Sequence, residues 1–192
     1  YTPKERVFLE IMYYTGLRRG EVLALEKTDV DFNNRTLSVT KSLDIQVNTP
    51  VIKDPKTKAG FREIPIPDKL IFKLTEYIST LDGKYLFTSA DGSIITRSSF
   101  RRMWEDIIKK TEVEAEMLKY DQAIYTDTTI HFSPHTFRHT YATNLYYANV
   151  DIKRAQYLLG HSSLEMTLQV YTHLDNKNNE NTADKINSFF NQ

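Results

Sequence analysis

Residues 62–80 read Arg62-Glu63-Ile64-Pro65-Ile66-Pro67-Asp68-Lys69-Leu70-Ile71-Phe72-Lys73-Leu74-Thr75-Glu76-Tyr77-Ile78-Ser79-Thr80. The first five residues predict a strand, and Pro65 confines it to a sheet edge because proline has no N–H to give a neighbour. From Asp68 the apolar positions Leu70, Ile71, Leu74 and Ile78 fall at helical spacing. A strand and a helix back to back point to a chain of mixed class. Upstream, Asp31-Phe32-Asn33-Asn34 is a turn signal, and Thr36-Leu37-Ser38-Val39-Thr40 alternates polar and apolar as a strand does. Val51-Ile52 adds a second β-segment, with Lys56-Thr57-Lys58-Ala59-Gly60 as the turn before Arg62. Together these predict one small antiparallel sheet near the N-terminal third.

Helices surround it. Thr2-Pro3-Lys4-Glu5 is a capping box that opens a helix over 3–15, stopped by Gly16, and Gly20 to Leu25 reads as a second, short one. Tyr85-Leu86-Phe87 is a brief extended piece. Thr96 or Ser98 caps a helix running to about Lys110, whereas residues 112–128 hold five acids, one Lys and no clear period and read as a loop. Ser133-Pro134 starts a helix through Tyr147, Asp151 caps another that stops at Gly160, and Ser162-Ser163-Leu164-Glu165 opens a third through Tyr171. A polar spacer from Asp175 to Asn181 then leads to Ala183, Ile186, Phe189 and Phe190. The fold class is α+β, mainly helical.

Composition bounds the function. The 192 residues carry 25 Lys plus Arg against 25 Asp plus Glu, so any affinity for nucleic acid must come from local patches. There is no Cys, which excludes a disulfide scaffold, a thiol nucleophile and Cys-ligated metal, and fits a reducing, cytoplasmic setting. No apolar run approaches the roughly 18 residues of a membrane span. A chain that begins Tyr1-Thr2-Pro3 is expected to be a domain of a longer protein.

Three basic clusters break the neutrality: Arg18-Arg19, then Lys53, Lys56, Lys58 and Arg62 around the turn, then Arg97, Arg101, Arg102, Lys109 and Lys110 on one helix. Charge runs are commonly solvated faces, but a turn crowded with Lys gains little from folding and much from a phosphate backbone. His131, His135 and His139 recur every four residues. A metal reading of them is weak, because Pro134 leaves His131 outside the helix and Arg138 would set a cation beside the metal. No G-x-S-x-G elbow and no phosphate-binding P-loop is present.

Three motifs together carry more weight. Thr15-Gly16-Leu17-Arg18-Arg19-Gly20-Glu21 resembles the first Arg box of the tyrosine recombinases, the family of phage and transposon integrases. His135-Thr136-Phe137-Arg138-His139 resembles its H-x-x-R box, and Leu158-Leu159-Gly160-His161 with Tyr171-Thr172-His173 resembles its L-G-H and nucleophile segment. The match is to the catalytic domain, which would span residues 1–174, with 175–192 as spacer and tail helix. Such domains usually follow an N-terminal DNA-clamping domain, expected outside this chain. The resemblance implies Tyr171 as nucleophile, Arg18 and Arg138 as phosphate clamp, His135 and His161 as supporting histidines, and Lys58 as the hairpin lysine, with Lys56 the alternate. Arg19, Lys53, Lys56, Arg62, Arg97, Arg101 and Arg102 are the expected DNA contacts. No cofactor or metal is implied.

The chemistry asks for these groups on its own account. Transesterification at a phosphodiester builds charge on nonbridging oxygens, which two guanidiniums bind bidentately without a metal. A phenol with a pKa of about 10 costs about 4 kcal/mol to ionise at pH 7, so a base such as His135 is needed. The departing 5′ oxygen needs a proton donor, the role for a hairpin lysine. The expected activity is site-specific recombination of double-stranded DNA through a 3′-phosphotyrosine intermediate. Type IB topoisomerase chemistry and a non-catalytic DNA-binding module are the alternatives. The apolar face of the tail is expected to dock on its own domain or, as the resemblance to integrases implies, on a neighbouring protomer in a tetramer, with accessory excision or DNA-bending proteins as further partners.

Overall fold

The computed structural model describes residues 1–45, 49–122 and 132–175. Helix α1 (Pro3–Thr15) starts as its capping box dictates: the Thr2 hydroxyl accepts from the Glu5 N–H, and the Glu5 carboxylate accepts from the Thr2 N–H. Its apolar face carries Phe8, Ile11 and Met12, all wholly buried. They pack beneath α3 (Asp68–Ser79) and α5 (Pro134–Tyr147). Phe8 meets Phe87 edge-on at 5.5 Å between centroids and also touches Phe100 and Trp104 of α4 (Arg97–Gln122). Each such side chain contributes about 1.5–3 kcal/mol on burial, so this aromatic cluster is the anchor of the fold. Helix α2 (Arg19–Leu23) follows α1 directly. Helices α6 (Ile152–Leu159) and α7 (Leu164–Asp175) pack on α5 and on each other.

The β-structure is two sheets rather than one. Strands β1 (Val30–Asp31), β2 (Thr36–Val39) and β5 (Arg62–Pro65) form an antiparallel sheet in the order β1-β2-β5, so Pro65 sits on an edge as its missing N–H requires. Strand β4 (Val51–Lys53) does not join it; it pairs with β3 (Ser42–Asp44), a strand absent from the sequence reading. Burial explains the split. β2 and β5 each turn two side chains into the core, with Leu37 opposite Ile64 and Val39 opposite Arg62, whereas β4 alternates between exposed and half-buried positions and pairs with β3, which buries Leu43 against the core.

The second correction concerns α4. Residues 112–122 continue the helix rather than forming a loop. Thr111-Glu112-Val113-Glu114-Ala115-Glu116-Met117-Leu118-Lys119 is rich in strong helix formers, so helix propensity alone favours the continuation. Apolar period reports what a helix buries, not whether it forms. Residues 123–128, His131 and the tail positions Ala183, Ile186, Phe189 and Phe190 lie outside the described residues.

Candidate active site

Two helices end on glycines in the left-handed region, and both ends face the same cleft. Gly16 closes α1 at φ 62° and Gly160 closes α6 at φ 61°. Neither position tolerates a side chain: a Cβ at Gly16 would lie 2.4 Å from the Tyr141 ring, and one at Gly160 would lie 2.9 Å from Arg62 Nη1 and 3.0 Å from the Ala59 carbonyl. The carbonyls freed at these ends receive Arg18 and Arg138 crosswise. Arg138, on α5, donates from Nη1 to the Gly16 carbonyl at 3.0 Å and from Nη2 to that of Leu159. Arg18, just before α2, donates from Nη2 to the Gly160 carbonyl at 3.1 Å. Residues more than a hundred positions apart thus hold one another at the floor of an open cleft of about 800 Å³.

Glu21 ties the floor together. Its Oε1 accepts from Arg18 Nη1 at 2.9 Å and Arg62 Nη1 at 3.2 Å; its Oε2 accepts from the Arg18 backbone N–H and from Arg62 Nη2, each at 2.8 Å. Burial alone would raise its pKa, but the bonds and charge of Arg62, then the charge of Arg18, outweigh this and hold the carboxyl below its usual range. Three guanidiniums (Arg18, Arg62, Arg138) against one carboxylate leave two positive charges uncompensated at the floor. Burial and the charge of Arg18 push Arg138 down to about 9, still a cation at neutral pH. An anion between the two clamp arginines would relieve that repulsion.

His161 and His135 are both shifted toward the neutral form. Burial, then Arg138, Arg18 and Arg62, depress His161 to about 4. Its Nδ1 lies 2.9 Å from the hydroxyl of Thr167, itself wholly buried on α7. His135 lines the cleft and is lowered by burial and by the charges of His139, Arg138 and Arg18. Its ring stands edge-on to His139 at 4.5 Å. Among the described residues no group of three or more His, Cys, Asp or Glu could hold a metal ion.

The structure assembles only part of the expected set. Arg18, Arg138 and His135 line the cleft, and His161 follows Gly160 in the turn at its edge. Lys53 and Lys56 line it as well; Lys58 starts the next turn, exposed and outside that lining. Tyr171 is not brought to the cleft. Its ring packs edge-on against Tyr146 at 5.2 Å, and its hydroxyl donates to the Val150 carbonyl at 3.3 Å. Burial, then the Asp151 carboxylate, raises its pKa.

Among the expected DNA contacts, Arg19, Arg97 and Arg101 line a second, smaller cleft with Phe100 and Trp104, and the Arg19 guanidinium lies 5.2 Å from the Phe100 ring centre. Arg102 is exposed, and so is Lys109. Lys110 instead bonds to the buried Glu5 carboxylate at 2.7 Å. Arg62 is the clear correction: its side chain is 0 % exposed and touches no solvent. The signal was available, since Ile64 and Ile66 face inward and a period of two puts Arg62 on their side. Glu21 was legible too, three residues past Arg18 on one helical turn. Thr167 has no local signature.

The sequence profile of the phage integrase family matches residues 3–178. Tyrosine recombinase XerC of Neisseria gonorrhoeae is 35 % identical, covering 90 % of this chain and 48 % of the relative. The transposase of transposon Tn916 from Enterococcus faecalis is 30 % identical over 85 % of this chain and 40 % of its own length. Among solved structures, the Tn1549 transposon integrase in complex with circular intermediate DNA superposes with a TM-score of 0.73 at 26 % identity, covering 98 % of this chain and 59 % of that one. The chain spans about half the length of the curated relatives it matches. Three motifs in order, a cleft floored by two crossed arginines and a profile match over nearly the whole chain agree: this chain belongs to the phage integrase family.

Proposed function

We propose that this chain is the catalytic domain of a site-specific DNA recombinase that cleaves and rejoins duplex DNA through a 3′-phosphotyrosine link. The observation that carries the reading is the convergence of Arg18 and Arg138 in one open cleft with two uncompensated positive charges. That cleft suits a phosphodiester. The two guanidiniums would bind the nonbridging oxygens as charge builds on them, and no metal is needed for this. A phosphate oxygen accepts only, so His161 would present Nε2–H, with the Thr167 hydroxyl donating to Nδ1 to hold that tautomer. The Tyr171 phenol oxygen forms the bond to phosphorus, its proton passes to His135, and the bond from phosphorus to the 5′ oxygen breaks. For the proton that the 5′ oxygen takes up, we assign Lys56 in place of Lys58, because Lys56 lines the cleft.

Tyr171 must leave Val150 before it can reach the phosphate, so DNA binding is coupled to movement of α7 in this reading. Duplex DNA as partner is supported by the related integrase solved with circular intermediate DNA. Tetramer formation through residues 175–192 and accessory excision proteins remain part of the proposal. Incubation with a nicked suicide duplex, followed by denaturing electrophoresis, tests the reading. A covalent protein–DNA adduct that forms in EDTA is expected, and its absence under every substrate design would overturn the assignment.

A further inference from the structure

Arg62 is spent on the protein rather than on DNA, and its partners are the elements that make the cleft. Nε donates to the Leu158 carbonyl at 2.9 Å, Nη1 to the Gly60 carbonyl at 3.0 Å, and Nη1 and Nη2 to the two oxygens of Glu21. These bonds join the end of α6, the base of the lysine turn and the start of α2. We propose that Arg62 is a positioning residue for transesterification: it neutralises Glu21 so that the Arg18 guanidinium stays available to phosphate, and it fixes the lysine turn against the Gly160-His161 turn. The proposal rests on the reading above.

Charge accounting is the first argument. Glu21 has two cationic neighbours, one buried and one at the cleft; the Arg18 side chain is 45 % exposed while that of Arg62 is fully covered. With Arg62 present, the carboxylate is satisfied from below and Arg18 keeps a net charge to offer. Without it, Glu21 would become the counter-ion of Arg18 alone and compete with phosphate for it. Packing is the second argument. The Gly160 turn passes so close over the Arg62 guanidinium and the Ala59 carbonyl that no Cβ fits between them. The plane of Arg62 therefore sets the height of His161 above the lysine turn. Stability is a poor explanation for so buried an ion pair, since desolvation offsets most of the attraction and apolar replacements of similar volume are often neutral.

The test uses the whole chain with Arg62→Met and Arg62→Lys. Four quantities are measured: melting temperature, the maximal single-turnover cleavage rate on a suicide duplex, the salt dependence of DNA binding, and a titration with inorganic phosphate followed through the Arg18 side-chain NMR signal. For Arg62→Met the cleavage rate is expected to fall about 10²-fold, the scale for a misplaced preorganised group. The phosphate midpoint at Arg18 should rise several-fold, with an unchanged salt slope because Arg62 meets no phosphate. Arg62→Lys, which keeps the charge but loses the fork, should restore part of both. A salt slope reduced by about one would make Arg62 a DNA contact and overturn the proposal. A lower melting temperature with wild-type rate and phosphate midpoint in the folded fraction would reduce it to a structural residue. If the parent chain forms no adduct, the recombinase reading fails by itself, and the phosphate titration still decides the role of Arg62.

Discussion

Arg138 and Tyr171 both sit on helices of the C-terminal half, both are at least nine-tenths covered, and both give their polar groups to backbone carbonyls. The carbonyls differ. Those that hold Arg138 belong to Gly16 and Leu159, at helix ends that floor the cleft, so the guanidinium is fastened at the cleft. The carbonyl that holds Tyr171 belongs to Val150, in the link between α5 and α6, and the phenol is fastened outside the cleft lining. The arginine side of the site is preorganised by crossed bonds and fixed charge. The tyrosine side has one long hydrogen bond of 3.3 Å and a ring contact to break. The arginines keep their mutual repulsion until an anion arrives, whereas the Tyr171 phenol is held on the Val150 carbonyl with its pKa raised.

The largest effect is expected at Tyr171. Tyr171→Phe should abolish the covalent adduct on a denaturing gel while melting within about 1 kcal/mol of the parent, the worth of one hydrogen bond. An adduct persisting in that variant would remove Tyr171 from the chemistry. Next, Arg138→Ala and Arg18→Ala should each slow single-turnover cleavage by roughly 10²- to 10³-fold. They should part in stability: Arg138→Ala strands two buried carbonyls at about 1–3 kcal/mol apiece, whereas Arg18→Ala frees one part-buried carbonyl at the open cleft and removes a half-exposed side chain, and so costs less. Equal melting temperatures would show that Arg138 is not the fastened member.

Acid sharpens the electrostatic half of the contrast. The His161 imidazole should titrate at about 4 by NMR in the DNA-free chain, against 6.5 for an ordinary His, and rise when phosphate is added. Because the folded value is the lower one, this group stabilises the fold above pH 6.5, and that contribution is lost as pH falls through about 4. Glu21, also held below its ordinary value, works in the same direction. A His161 midpoint near 6.5 would mean that the cleft lacks the excess positive charge. The smallest effect belongs to Asp151→Asn. Asn can still cap α6, so the fold should hold, but loss of the charge beside Tyr171 should lower the phenol pKa in an ultraviolet titration. No change would leave burial alone as the cause of the shift.

The sequence determined a good deal by itself. Caps are local chemistry, so the starts of α1, α5 and α6 and the glycine stops at Gly16 and Gly160 follow from neighbours within a few residues. The α+β class follows from two apolar periods, and the family from three short motifs in order. Tertiary structure decided the rest, for one reason: burial and hydrogen bonding at the cleft come from partners far along the chain. The bonds from Arg138 to Gly16 and from Arg18 to Gly160 span 122 and 142 residues. The strand period marks Arg62 as inward-facing, but its partners Glu21 and the Leu158 carbonyl, which seal it beneath the cleft onto which Arg18 opens, come only from the packing of α6 and α2 around β5. Strand pairing behaved likewise: β4, whose side chains are exposed or half-buried, pairs with β3 and not with the β1-β2-β5 sheet. The position of Tyr171 is tertiary in the same sense: its motif names the residue, but the fold of α5, α6 and α7 sets its hydroxyl on Val150 rather than in the cleft.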